Sequence, residues 1–202
     1  MKIVCIGRNY SEHIKELNNA VPDEPVIFIK PDSAILRNNS PFFIPSFTQD
    51  VHYEVEVFVK IHKPGKAIPV QFAHLYYDEV GLGIDFTARD LQNQLKTKGL
   101  PWEKAKGFDH SAVTGKTFHK DELGPQPWKF ELHKNGSPVQ LGNTADMIHG
   151  IDEIISHVSH YFTLKKGDLI FTGTPSGVGP VAPGDKLEGT LCGRPCFYTD
   201  IL

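Results

Sequence analysis

The sequence predicts a β-rich α+β domain built on a mixed sheet or roll. Strand-like segments are many and short, helical patterns are few, and the 18 glycines and 15 prolines are spread along the chain. Short strands separated by glycine and proline turns are typical of such folds. Because no repeat, low-complexity tract or linker divides the 202 residues, we expect residues 1–202 to form one domain.

Runs of β-branched and aromatic residues bounded by turn residues predict the strands. The predicted strands are Lys2–Ile6, Val26–Lys30, Phe42–Ile44, Tyr53–Ile61, Val80–Asp85, Lys129–Lys134, Asp168–Thr172, Lys186–Leu191 and Cys196–Ile201. The pair Asn135-Gly136 is typical of a type I′ hairpin turn, because both positions of that turn require a positive φ. We therefore expect a hairpin that returns through Pro138–Gln140.

Two longer segments have helical patterns. Apolar residues recur at helical spacing over Ile151–Phe162, which predicts an amphipathic helix. A second helix is predicted over Thr87–Lys98, where Thr87 and Asp90 occupy the positions of a capping box.

Charge and composition exclude several classes of protein. The net charge is −3 and the basic residues are scattered, which argues against nucleic acid or an anionic membrane as a partner. No apolar run approaches the roughly 20 residues that span a bilayer, and the N-terminal apolar run is too short for a signal peptide. Three cysteines, an odd number, suit a reducing compartment. We expect a cytoplasmic protein.

Three acidic residues are the strongest chemical signal in the sequence. In Tyr53–Val59 the apolar side chains alternate, which places Glu54 and Glu56 together on the opposite face of a strand. An exposed strand edge would explain this pair equally well. Asp85 ends a glycine-rich strand and adds a third acid, although an acid there could also be a helix cap. If the three converge, their oxygens favour Mg²⁺ or Mn²⁺ over zinc.

Other candidate residues are weak signals when each is taken alone. A short helix near Tyr10–Asn18 would carry His13 and Glu16 on one face, but a single histidine is more often a surface residue. Lys106 lies among other charged residues and is typical of a solvated cluster. Thr172–Gly179 fits neither phosphate-binding fingerprint, and a plain tight turn explains it.

Taken together, six segments resemble the fumarylacetoacetate hydrolase superfamily, in the order typical of that family, from about residue 5 to the C-terminus. They are Gly7–Tyr10 with His13 and Glu16, Phe28–Pro31, His52–Glu56, Asp85–Gln92, Gly99–Trp102 with Lys106, and Thr172–Gly179. The chain is most similar to a short branch of acylpyruvases and oxaloacetate decarboxylases. The resemblance implies a mixed β-roll of the family's C-terminal type, a catalytic domain over residues 1–202, and a homodimer.

The resemblance also implies a role for each candidate residue. Mg²⁺ or Mn²⁺ would be bound by Glu54, Glu56 and Asp85, and Lys106 would approach the substrate oxygens at that cation. His13 with Glu16 would handle a catalytic water. The substrate side would be lined by Arg8, Lys30, Arg89, Gln92 and Thr174, and backbone amides of Thr172–Gly179 would meet the substrate carboxylate. Many members have Gly-Pro where this chain has Val113–Lys116, which leaves the size of the substrate open.

Several functions fit these residues. The first is cleavage of a C–C bond in a 2-keto acid, by acylpyruvate hydrolysis or oxaloacetate decarboxylation, through a metal-stabilised pyruvate enolate. The second is an isomerase or tautomerase acting on dienoic 2-oxo diacids or on the enol of oxaloacetate. The third is a non-catalytic module that binds 2-keto acids, and a metal-free glycosidase using Glu54 and Glu56 is a fourth. His13 and Glu16 favour the first, because hydrolysis requires an activated water.

Overall fold

The computed structural model describes residues 1–16, 22–37 and 39–202. Within these residues the α-helices are α1 Ser11–Glu16, α2 Val70–Ala73, α3 Arg89–Thr97, α4 Glu103–Lys106, α5 Lys120–Leu123 and α6 Ile151–Tyr161. The strands are β1 Ile3–Gly7, β2 Val26–Lys30, β3 Ile35–Leu36, β4 Val51–Tyr53, β5 Val55–Ile61, β6 Tyr77–Asp85, β7 Thr87–Ala88, β8 Ala112–His119, β9 Lys129–Lys134, β10 Ser137–Asn143, β11 Leu169–Phe171, β12 Gly179–Pro180, β13 Lys186–Leu191 and β14 Arg194–Asp200.

The described strands form three sheets. The largest has the order β2-β1-β11-β5-β6-β8-β3, the second β10-β9-β13-β14 and the third β12-β4-β7. In the largest sheet β1 pairs with β11 and β3 with β8 in parallel, whereas the other pairs are antiparallel. The structure therefore confirms a β-rich α+β fold on a mixed sheet. None of the helices in residues 1–16, 22–37 and 39–202 is long and apolar enough to cross a membrane.

Strands β5 and β6 lie in the middle of the largest sheet, and their sequences explain how closely they pack. The valines of β5 point into the main core, while Phe58 points to the other face and stacks on Phe171 with ring centroids 5.2 Å apart. A Cβ at Gly81 of β6 would lie 2.4 Å from the Phe58 ring. Glycine is therefore required there, and the two strands carry Glu56 and Asp85 on a rigid frame.

The strand predicted over Tyr53–Ile61 is in fact two strands, β4 and β5, which break at Glu54. The reason is that β4 pairs with β7 and β12, whereas β5 pairs with β6 and β11. At the break the Val55 N–H donates to the Gln140 side chain at 2.9 Å, and the Glu54 carbonyl accepts from the Asp85 N–H at 2.8 Å. The second bond brings two of the three acids side by side.

The predicted start of the helix over Thr87–Lys98 is also wrong. Residues Thr87–Ala88 form β7, and α3 begins at Arg89, with no side-chain cap. The expected capping box does not form, because the Asp90 carboxylate instead accepts hydrogen bonds from the Thr48 hydroxyl and the Gln49 N–H. This contact ties the start of α3 to the loop before β4.

Other elements differ in smaller ways from the prediction. The hairpin turn is confirmed, since Asn135 and Gly136 have φ values of 53° and 79°. Phe42–Ile44 is not a strand: Phe42 makes an isolated bridge to Ile201. Strand β8 was not predicted. The helix near Tyr10–Asn18 is observed as α1, and its last two predicted residues lie outside the described part of the chain.

Candidate active site

The three acids predicted to converge do lie together. Each of Glu54, Glu56 and Asp85 offers a carboxylate oxygen, and these atoms lie within 4.8 Å of one another. All three side chains are buried. The alternative explanation, an exposed strand edge with Glu54 and Glu56 in water, is therefore wrong. The break between β4 and β5 positions Glu54, β5 carries Glu56, and β6 ends at Asp85.

Burial and neighbouring charges act in opposite directions on two of these acids. Burial, together with the charges of Asp85 and Glu54, raises the pKa of Glu56 well above its usual value. Burial also opposes ionisation of Glu54, but the charges of Lys106 and Arg89 outweigh it and hold the pKa of Glu54 well below its usual value. The charged form of Glu54 is therefore favoured, and so is the protonated form of Glu56.

Two cations contact the acids from the cavity side. The Lys106 ammonium lies 2.8 Å from Glu54 Oε2 and 2.7 Å from Asp85 Oδ2, and donates to the Thr87 hydroxyl at 2.6 Å. The Arg89 guanidinium pairs with Glu54 Oε1. The structure brings Lys106 to the three acids, and its predicted approach to substrate oxygens at a cation stays a prediction.

Lys30 was predicted on the substrate side, and the structure corrects that placement. Its side chain is 0% exposed, and its ammonium lies 2.7 Å from Asp85 Oδ1. The same ammonium donates to the backbone carbonyls of Phe86 and Ser111, at 3.2 and 3.1 Å, and to that of Lys106. Lys30 therefore neutralises Asp85 from beneath the site and does not line the cavity.

The His13 and Glu16 side chains form a pair, with His13 Nδ1 3.1 Å from Glu16 Oε2. His13 is buried and lines the cavity. The second oxygen of Glu16 accepts from the Gly177 N–H at 3.0 Å, and the Gly173 N–H donates to Glu56 at 2.8 Å. Two amides of the Thr172–Gly179 turn are thus bound to protein carboxylates, and the predicted contact of this turn with a substrate carboxylate stays a prediction.

These side chains surround a cavity of about 40 Å³. The predicted residues that line it are Arg8, His13, Glu54, Glu56, Asp85, Arg89, Gln92, Lys106 and Thr174. Phe28, Lys96 and Trp102 line it too, without having been proposed as site residues. The position of Lys96 could have been predicted, because it follows Arg89 by seven residues and Gln92 by four, on the same face of α3.

The residues present fit a divalent cation. All the anionic donors are carboxylate oxygens, the ligand type that Mg²⁺ and Mn²⁺ prefer. The Lys106 ammonium sits between Glu54 and Asp85, which shows that this position attracts positive charge. Glu54, Glu56 and Asp85 could therefore hold a metal ion.

The chain matches known sequences over most of its length. The family model "Fumarylacetoacetate (FAA) hydrolase C-terminal" matches residues 2–200. "Oxaloacetate tautomerase YcgM" of Escherichia coli is 44% identical over 195 residues, which is 96% of this chain and 89% of that protein. The human "Oxaloacetate tautomerase FAHD1, mitochondrial" is 43% identical over 193 residues, which is 95% of this chain and 87% of that protein.

Solved structures of similar proteins have the same fold. The fumarylpyruvate hydrolase from Pseudomonas aeruginosa, solved with Mn²⁺ and pyruvate, superposes with a TM-score of 0.95 at 33% identity, covering 100% of this chain and 89% of that one. A 5-carboxymethyl-2-hydroxymuconate delta-isomerase from Mycobacterium smegmatis gives a TM-score of 0.88 at 33% identity, with 100% and 78% covered. These similar proteins thus include a hydrolase, an isomerase and tautomerases.

Proposed function

The chain belongs to the fumarylacetoacetate hydrolase family, and we propose that it tautomerises a small 2-keto acid such as oxaloacetate at a divalent cation. The observation that carries this proposal is that Glu54, Glu56 and Asp85 line one cavity with His13, which pairs with Glu16. Glu54, Glu56 and Asp85 would hold the cation. The adjoining histidine would be the group that moves a proton.

Tautomerisation between keto and enol forms moves one proton between a carbon and the keto oxygen. A bound Mg²⁺ or Mn²⁺ would supply positive charge that favours the enolate form of the substrate. Lys106 adds a fixed positive charge on the same side of the cavity. Glu16 orients His13 through its Nδ1, so that the other ring nitrogen is available to accept a proton and return it.

The names of similar proteins favour tautomerisation over hydrolysis. The relatives named as oxaloacetate tautomerases are 43–44% identical to this chain, whereas the fold neighbour named as a fumarylpyruvate hydrolase is 33% identical. Tautomerisation also requires only a group that moves a proton, and His13 at the cavity can supply it.

A second candidate is cleavage of a C–C bond, by acylpyruvate hydrolysis or oxaloacetate decarboxylation. The His13–Glu16 contact favours hydrolysis, because a histidine paired with a carboxylate can act as a general base toward water. The fold neighbour named as a fumarylpyruvate hydrolase supports this candidate too. Both candidates require the same acids and the same lysine.

The test is a panel of reactions carried out by one preparation with Mg²⁺. We expect the protein to accelerate the ketonisation of enol-oxaloacetate, followed by ultraviolet absorbance, more than it accelerates pyruvate release from oxaloacetate or acetylpyruvate. Chelation should abolish the activity, and Glu56→Gln should lose it together with Mg²⁺ binding. Faster pyruvate release from acetylpyruvate than ketonisation would favour the second candidate. Activity that is indifferent to chelation would refute both.

A further inference from the structure

Two cations that line the cavity have no acidic partner. Arg89 and Lys106 pair with Glu54 or Asp85, but Arg8 and Lys96 make no ion pair within the described residues. Residues 17–21 and 38 include no acidic side chain, so they cannot supply the missing partners. Two half-buried positive charges therefore line the cavity without a direct ion-pair partner.

The surroundings of Lys96 make its charge costly unless an anion is present. It lies on α3, and its ammonium is 5.6 Å from the centre of the Trp102 ring. Burial lowers the pKa of Lys96, and the like charges of Arg89, Arg8 and Lys106 lower it further and outweigh the charge of Glu54, which raises it. These like charges, which come from three different elements, show that several cations converge on one place.

Arg8 is held in an unusual backbone conformation at the same cavity. Its φ is 59°, in the left-handed region that costs an arginine about 1 kcal/mol or more. Its Nε atom is buried, and no hydrogen-bond partner accepts from it within the described residues. The Nε atom of Arg89 is likewise buried and has no acceptor among the described residues. Two buried N–H groups of the arginines that line the cavity therefore have no acceptor in the part of the chain that the structure describes.

We propose that Arg8 and Lys96 form a subsite for a second carboxylate, so that the enzyme selects 2-keto dicarboxylic acids over monocarboxylic ones. The inference rests on the proposed function, because that function places the 2-keto acid group at the three acids. The far carboxylate would then accept from the Lys96 ammonium and from the Arg8 guanidinium, the two cations of the cavity lining that have no ion-pair partner within the described residues. Charge-assisted bonds of this kind are the strong ones in a partly buried site.

The charges of the whole cavity support a dianion. The three acids already face Lys30, Arg89 and Lys106, and a divalent cation would add further positive charge. A monocarboxylate would leave the half-buried charges of Arg8 and Lys96 without an anionic partner, whereas a dicarboxylate would neutralise them. An alternative role for Lys96 is to stabilise the last turn of α3 through the helix dipole. Lys98 is a control for that role, because it is exposed at the end of the same helix.

The experiment measures binding by calorimetry in the presence of Mg²⁺, so that turnover is not required. Pyruvate probes the 2-keto acid group alone, 2-oxoglutarate adds a carboxylate, and 5-methyl-2-oxohexanoate replaces that carboxylate with an uncharged group of similar shape. The parent protein should bind 2-oxoglutarate more tightly than its uncharged analogue. Lys96→Met should weaken 2-oxoglutarate binding by about tenfold or more, and change the pyruvate and analogue affinities by less than about twofold.

Two further variants make the result specific. Lys98→Met removes a charge from the same end of α3 and should leave all three affinities unchanged, while Lys96→Arg should restore most of the preference. If the parent binds pyruvate but does not prefer 2-oxoglutarate over the analogue, the carboxylate subsite is refuted and the proposed function stands. If the parent binds none of the three with Mg²⁺, the proposed function fails and the subsite with it. Equal weakening of all three ligands by Lys96→Met would also refute the subsite.

Discussion

Glu56 and Lys106 have pKa values that are raised for opposite reasons. Burial and the charges of Asp85 and Glu54 favour the neutral form of Glu56. Burial works against the charge of Lys106, but Asp85 and Glu54 outweigh it and hold its pKa above the usual value. An acid whose neutral form is favoured and a lysine whose charged form is favoured thus line the same cavity.

The first prediction is that Mg²⁺ binding releases a proton. A cation requires ionised Glu56, whose raised pKa keeps the proton bound at a pH where an ordinary glutamate has lost it. Metal affinity should therefore fall as the pH falls and rise as the pH rises through the pKa of Glu56. Calorimetry in two buffers of different ionisation enthalpy measures the released proton. Identical apparent enthalpies in both buffers would contradict the prediction.

The second prediction separates the metal from the lysine that shares its ligands. Lys106→Met should not weaken Mg²⁺ binding, because the Lys106 ammonium and a cation compete for Glu54 and Asp85. Turnover should fall by roughly 10²-fold or more, since a fixed charge at the reacting oxygens is lost. Lys104→Met, on the exposed side of α4, is the control. Weakened Mg²⁺ binding in Lys106→Met would show that the lysine supports the ligands and does not compete with the cation.

At the same scale, sequence reasoning was right about which residues cluster and wrong about one role. Glu54, Glu56 and Asp85 could be grouped because three acids and an alternating strand are visible in the sequence. Lys30 was misplaced, since a lysine in a motif gives no sign of whether it faces the substrate or supports an acid from beneath. Lys96 was missed because helical spacing was applied to apolar residues and not to the cations of α3.

Helix α1 forms part of the cavity wall through His13. The bond from the Gly177 N–H to Glu16 connects its last residue to the Thr172–Gly179 turn. Because one side-chain contact of an exposed glutamate holds this end of α1, we expect the helix to move away when substrate enters and to close over it afterwards.

The third prediction is that ligand slows hydrogen exchange in α1. Amide exchange over residues 11–16 should slow when Mg²⁺ and oxalate, an unreactive mimic of a 2-keto acid, are added together. Each alone should have a smaller effect, because only the complete complex offers α1 a surface to close on. Helix α6 lies outside the cavity lining and serves as the internal reference. An α1 exchange rate that does not change would identify it as fixed scaffold.

Strand β5 and helix α3 also show which features cannot be predicted from the local sequence. The alternation of β5 predicted its buried face, but not its separation from β4, since that break depends on partner strands from distant parts of the chain. The expected capping box failed for the same reason. Asp90 binds Thr48, which lies 42 residues earlier, and a pattern confined to residues 87–90 does not contain that information.

At the scale of the whole molecule, Lys30 joins three parts of the fold at one buried atom. Its ammonium, at the end of β2, binds Asp85 at the end of β6 and the backbone carbonyl of Lys106 in α4. Removing one member of a buried ion pair leaves the other charge uncompensated.

The fourth prediction is that Lys30→Met lowers the free energy of unfolding by about 3–5 kcal/mol. Lys60→Met removes a lysine from the exposed pair with Glu79 and should cost about 0–1 kcal/mol. Urea denaturation at neutral pH measures both. A Lys30→Met variant as stable as the parent would show that Asp85 is protonated or hydrated when the lysine is absent.

The homodimer implied by the family resemblance remains a prediction about the assembled molecule. Sedimentation should give a mass of twice 22.5 kDa at micromolar concentration. A mass of one chain would contradict it.

The contrast between Lys30 and Lys96 has a consequence for how this protein can evolve. A change at Lys30 leaves Asp85 without its buried partner and should destabilise the fold. Selection for a stable protein would therefore remove such variants before a new activity could be selected. Lys96 has no acidic partner in the described chain, so a change there leaves no buried acid uncompensated. Directed-evolution libraries that seek new substrates should therefore diversify Lys96 and Arg8 while leaving Lys30 constant. Keeping Lys30 preserves the reaction, whereas changes at Lys96 and Arg8 can alter the substrate preference.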